Sequence, residues 1–192
     1  MKHLITFVTG VLLILMLISG CSKEPSSIEL ISSYSEISDD SFDPMLSMDK
    51  EYKGEDFQLI SLNYYFTLLN LSDETLGSMD INPKTYRAFD GIELSLEPNK
   101  KFKRVLQDVL GIDCLVEKYG IARSGISMIE AGKEEEYIIY FVLGANKENP
   151  EYKLAPSQEQ LDKLKRNSME ATLIVSIGDD NEIARFNLNR FK

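Results

Sequence analysis

Few side chains of this chain are equipped for covalent or acid–base chemistry: two thiols, Cys21 and Cys114, and a single imidazole, His3. Cys21 stands where an apolar run over residues 4–18 gives way to the small residues Ser19 and Gly20, after a start carrying Lys2 and His3. A basic start, an apolar stretch and small residues before a break match a processing signal, whose removal would leave a chain opening near Cys21. The competing reading, a retained membrane-spanning helix, needs roughly 20 apolar residues. This run has 15, with Thr6 and Gly10 inside it.

Cleavage before Cys21 removes His3 and leaves 172 of the 192 residues, the size of one ordinary domain with a tail. A body without histidine has no Ser-His-Asp or Cys-His nucleophile and no histidine-ligated metal. Cys114 sits in the apolar stretch 112–116, the setting of a buried inert thiol more than of a nucleophile or an intermolecular bridge. With Cys21 modified it has no disulfide partner within the chain. Carboxylates are the remaining candidates, in three groups: Asp39, Asp40 and Asp43; Asp73 and Glu74; Asp179, Asp180 and Glu182. Calcium takes about six to eight oxygens, and none of these groups has the spacing of a calcium loop, so each reads as a solvated turn. Paired carboxylates of a hydrolase converge only in the fold, and the chain lacks tryptophan to stack a sugar ring. No catalytic, cofactor or metal residue is assigned.

The segment Ile18-Ser19-Gly20-Cys21 resembles the lipobox of bacterial lipoproteins. The resemblance implies that the Cys21 thiol takes a diacylglycerol, that cleavage falls just before it, and that the new amino terminus can be acylated. Acyl chains such as palmitate on Cys21 would hold the protein firmly to the extracytoplasmic face of a bacterial membrane, inner, outer or Gram-positive. The 21 basic and 31 acidic residues leave a net charge of −10. That balance argues against nucleic acid as a partner and against a charge-driven hold on anionic lipid.

Three segments follow: a signal peptide over 1–20, a lipidated and largely flexible tether over 21–55, and a folded domain over 56–192. The tether is rich in Ser, Asp, Glu and Lys and holds Pro25 and Pro44, a composition that cannot repay the entropy of ordering every residue, so residues 22–27 should be mobile. Within it, Ile28, Leu30 and Ile37 fit a weak edge strand, and Met45, Leu46 and Met48 fit a short apolar clip. Residues 57–71 carry the strongest strand signal, with Leu62, Tyr64, Phe66 and Leu68 on the expected core face. Short strands are expected at 79–81, 86–89 and 92–96, the last two joined by Asp90-Gly91. Phe102, Val105, Leu106, Val109 and Leu110 recur at helical spacing between a cap at Asn99 and a stop at Gly111. Residues 137–143 are apolar on both faces, as in a central strand. A helix over 157–167 opens on Ser157 with Gln160 as a capping box, and a hairpin pairs 172–177 with 183–188.

Hairpins with few helices and no repeated strand–helix unit predict a mainly β chain, an antiparallel β-sandwich with one or two short inserted helices. Asn70, Ser72, Asp73 and Glu74, followed by Ala131, Gly132, Lys133 and Phe141, resemble motifs of the immunoglobulin-like extracytoplasmic domains of bacterial lipoproteins, the DUF4352 and MPT63-like group. The resemblance spans residues 55 to 190, implies an immunoglobulin-like fold outside the cytoplasm, and carries over no catalytic residue. The nine tyrosines offer rings with polar tips, suited to core boundaries or, where they gather on the surface, to contact. The expected function is noncatalytic: a lipid-anchored domain that contacts an envelope protein or polymer. The alternatives are a small-ligand-binding lipoprotein and a carboxylate-based hydrolase.

Overall fold

A computed structural model describes residues 27–39, 57–80, 90–111, 121–124, 127–148, 150, 152–178 and 181–191. Cys21, Cys114, Asp40, Asp43, Asp179, Asp180, the apolar clip at 45–48 and the expected strand at 86–89 lie outside the described residues. In chain order the elements are β1 (Ile28–Ser38), β2 (Leu59–Asn70), β3 (Leu76–Gly77), β4 (Ile92–Pro98), α1 (Lys100–Leu110), β5 (Ile121–Ser124), β6 (Met128–Ile129), β7 (Glu134–Ala145), α2 (Gln158–Asn167), β8 (Ala171–Ile177) and β9 (Asn181–Asn187), closed by a 3-10 turn over Leu188–Phe191. One sheet has the order β1-β2-β7-β5 and another β4-β8-β9, with β3 and β6 as a two-stranded ribbon. All the strand pairs are antiparallel. The architecture is the mainly β sandwich with two short helices that the alternating segments predict.

Both sheets contribute to one core. From β2 and β7 come Leu62, Tyr64, Phe66, Leu68, Ile139 and Phe141, and from β4 and β8 come Leu94, Leu96, Leu173 and Val175. The core face of β2 is the predicted one, because Tyr64, Phe66 and Leu68 are 0–1% exposed while Tyr65, Thr67 and Leu69 are half-buried. β7 is central, between β2 and β5, and its second apolar face is covered in part, with Tyr140 buried and Ile138 and Val142 half-buried. A register shift opposite Ile60 and Ser61 leaves Leu143 as an extra residue on β7. The adjoining Gly144 has φ 146°, and a Cβ there would lie 2.7 Å from the Ala155 backbone, so only glycine lets the 152–156 segment approach this closely.

Two expectations change. The folded body begins at Ile28 and not at residue 56: β1 lies in register with β2 from Ile28 opposite Asn70 to Ser38 opposite Ser61. Ile28 and Leu30 are 1% and 5% exposed, so two well-placed apolar side chains and a full ladder of backbone bonds outweigh a polar average composition. The weak edge strand is thus an 11-residue strand, with a bulge after Leu30 that leaves Ile31 outside the register. Met79 and Asp80 belong to no strand; the pairing falls earlier, where Leu76 and Gly77 face Ile129 and Met128. Gly77, at φ 81°, sits so close to the Ser127 carbonyl that any Cβ would collide with it, which pins this contact to glycine.

The helices follow their local signals. Asn99 Oδ1 accepts from the backbone of Lys101 and Phe102 at 2.9 and 3.0 Å, and Gly111 ends α1 at φ 70°. Phe102, Val105 and Leu106 are buried, as the stripe predicts. Gln160 Oε1 accepts from the Ser157 N–H at 2.9 Å, and Leu161 and Leu164 face the core. α1 follows directly on β4 and α2 leads into β8, so both helices sit at the end of the sandwich marked by Pro98 and Ala171, which pair with each other.

Candidate functional site

Register on the large sheet defines its outward face row by row. Tyr34, Tyr65 and Ile138 form one row; Glu36, Asn63 and Tyr140 form the next; Ser32, Thr67 and Glu136 flank the tyrosine row on its other side. Tyr34 and Tyr65 stack with ring centroids 4.6 Å apart and planes 9° from parallel. Tyr34 is 53% exposed, so one ring face packs on Tyr65 and the rest meets solvent. The Tyr65 hydroxyl donates to Glu36 Oε1 at 2.8 Å, and the Ser32 and Thr67 hydroxyls bond each other at 2.8 Å. β1, β2 and β7 contain five glutamates and no lysine or arginine.

Burial, then the bond to the Glu36 carboxylate, pushes the Tyr65 phenol above its ordinary value, while a bond from Asn63 works the other way. The Tyr65 hydroxyl, donating to Glu36, holds that carboxylate in place. Asn63 is 8% exposed and its Oδ1 has no partner. The arrangement offers a pre-ordered aromatic surface beside a fixed carboxylate, chemistry suited to holding a group and not to moving a proton.

The other candidate residues fall into structural roles. Asn70 is fully buried, and its side chain uses all its main capacities: Nδ2 donates to the carbonyls of Glu74 (2.7 Å) and Ile129 (3.0 Å), and Oδ1 accepts from Ser72 N–H (2.9 Å) and Oγ (2.7 Å). Its backbone meets the second motif, donating to the Lys133 carbonyl at 3.0 Å and accepting from Gly132 at 3.1 Å. The residues that carried the family resemblance, Asn70 to Glu74 and Ala131 to Lys133, thus come together as one structural knot. Asp73 and Glu74 are exposed on that turn, and Asp39 is exposed after β1. Glu182 pairs with Arg185 at 2.9 Å, and Arg185 also pairs with Glu97 at 2.9 Å, all on the surface. Among the described residues, no three His, Cys, Asp or Glu side chains gather as a metal site, and no helix is long and apolar enough to cross a membrane.

The tyrosines divide by face. Tyr64 and Tyr137 are in the core, Tyr64 donating to the Ser168 carbonyl at 2.9 Å. Tyr152 lies 6.1 Å from Phe57. Tyr34 and Tyr65 stack across neighbouring strands on the outward face. Sequence reasoning missed Glu36 and Asn63 and did not single out this pair, because cross-strand neighbours depend on a register that one strand alone does not contain. Tyr34 and Glu36 did carry one signal, their alternation with Ile37 on a strand. No family model, curated protein or solved structure matches this chain.

Proposed function

We propose that this chain is a noncatalytic, lipid-anchored protein of the bacterial cell envelope, held by an acylated Cys21 on the extracytoplasmic face and acting by contact with another envelope component. The observation that carries the reading is the ordered Tyr34–Tyr65 stack with Glu36 on the outward sheet face. A half-exposed ring held flat by a second ring loses little freedom when a partner covers it. Ile28 follows Cys21 by seven residues, a stretch that reaches at most about 25 Å, so the anchor would keep the sandwich close to the bilayer. The lipobox and the lipoprotein-domain motifs support the same setting.

Mass spectrometry of protein extracted from membranes tests the anchor: an N-terminal peptide beginning at a diacylglyceryl-modified Cys21 is expected. Crosslinking in intact cells followed by affinity capture tests the contact, with Cys21→Ala as control. A partner recovered with the wild-type chain and lost with Cys21→Ala fits the reading. Turnover of peptidoglycan fragments, peptides or esters by the purified chain, abolished by one carboxylate change in a folded variant, would overturn it in favour of a hydrolase.

A further inference from the structure

We infer that the helical end of the sandwich binds a polyanion, a phosphate-bearing polymer of the envelope, on the outward face of α1. In a chain with net charge −10, the two helices carry seven basic and three acidic side chains, a net of +4. Lys100, Lys103 and Arg104 recur at i, i+3 and i+4 on the side of α1 opposite the buried Phe102, Val105 and Leu106, which gathers three cations on one face. Lys165 and Arg166 are exposed on the neighbouring α2. Two other cations are already satisfied: Lys101 pairs with Glu170 and Lys163 with Asp108, each at 3.2 Å. Among the described residues, no ion pair engages Lys100, Lys103, Arg104, Lys165 or Arg166, and all five are exposed. Unpaired, solvated cations on one rigid helix face are the chemistry that repeated phosphates recognise.

Topology favours a polymer over lipid headgroups. Asn70 bonds the Ile129 carbonyl, and two residues earlier the Ser127 carbonyl accepts from Ile92 N–H at 2.8 Å. The starts of β1 and β4 therefore share one end of the sandwich, and the helices stand at the other, across the length of β4, about 20 Å away. The end nearest residue 27 exposes Asp73, Glu74, Asp90 and Glu130, which anionic headgroups repel. The direction in which the basic end points rests on the lipid-anchor reading; the binding itself does not.

The test uses the full mature chain in neutral detergent, with labelled inorganic polyphosphate as probe and fluorescence anisotropy as readout. A footprint of three phosphates predicts affinity falling about twentyfold between about 50 and 200 mM salt. The triple variant K100Q/K103Q/R104Q should bind at least about tenfold more weakly with an unchanged thermal melt, while E134Q should bind as the wild type does. With the chain reconstituted into vesicles through its Cys21 lipid, adding anionic lipid to that same bilayer should leave polyphosphate binding unchanged. Equal binding by the triple variant, no binding at the lower salt, or displacement of polyphosphate by anionic lipid in the anchoring bilayer would overturn the inference. An unmodified Cys21 would instead remove only the anchor, leaving polyphosphate binding intact.

Discussion

Asn70 and Tyr65 lie on the same strand, five residues apart, and spend their polar groups in opposite ways. Asn70 is 0% exposed and meets four partners that tie two turns together. Tyr65 is half-buried, bonds at its tip to Glu36, and supports a neighbour, Tyr34, that stands open to solvent. Saturated, buried hydrogen bonds specify structure; ordered but uncovered groups leave something for a partner. The contrast separates residues conserving the fold from residues offering contact on a single strand, where composition alone makes them look alike.

The comparison breaks most visibly if the core side is wrong. Phe141 is 1% exposed with its ring 5.9 Å from Tyr64, and Phe141→Ala should cost roughly 3 to 5 kcal/mol in denaturant unfolding. Asn70→Ala removes the side-chain donor to the Ile129 and Glu74 carbonyls and the acceptor of the Ser72 N–H, and leaves Glu74 only its bond from the Ser72 hydroxyl, so a loss of roughly 3 kcal/mol is expected by the same measurement. A loss below about 1 kcal/mol would mean that the knot of turns is not structural.

Alkali sharpens the contrast between buried and surface phenols. Burial pushes Tyr137 well above its ordinary value, and Tyr65 is raised as well. Because both folded values exceed the unfolded value of about 10, their contribution to stability is complete below about pH 10 and declines as pH rises through the folded values. Stability should therefore fall on the alkaline side, and Tyr137→Phe should flatten that fall in thermal melts recorded across the range. The smallest effect belongs to Tyr34→Ala, which removes one stacked ring from the surface and should cost about 1 kcal/mol or less. Its signature is weakened partner capture with a nearly unchanged melt.

Local signals carried much of the fold. Asn99 and Gly111 bound α1 where the cap and stop residues stand, and the alternation in β2 picked out Leu62, Tyr64, Phe66 and Leu68 as core residues, because caps and faces depend on near neighbours in the chain. Non-local pairing was less legible. β1 was hidden by the serines and acids around Ile28 and Leu30, and only its ladder with β2 makes it a strand. The ribbon between β3 and β6 depends on the fit of Gly77 against Ser127, a contact across 50 residues of chain. Net charge averages in the same way: a chain total of −10 conceals two helices of net +4, a difference visible only when the charges of residues 100–110 and 158–167 are counted by element.

The central claim is that an anchored sandwich makes contact through the Tyr34 face, and a photo-crosslinking residue placed at position 34 in cells tests it most directly, with position 182 on β9 as comparison. The account predicts a discrete crosslinked partner from position 34 that disappears with Cys21→Ala and is absent from position 182. Identical products from both positions, or none from position 34 in membranes where Cys21 is lipidated, would contradict it.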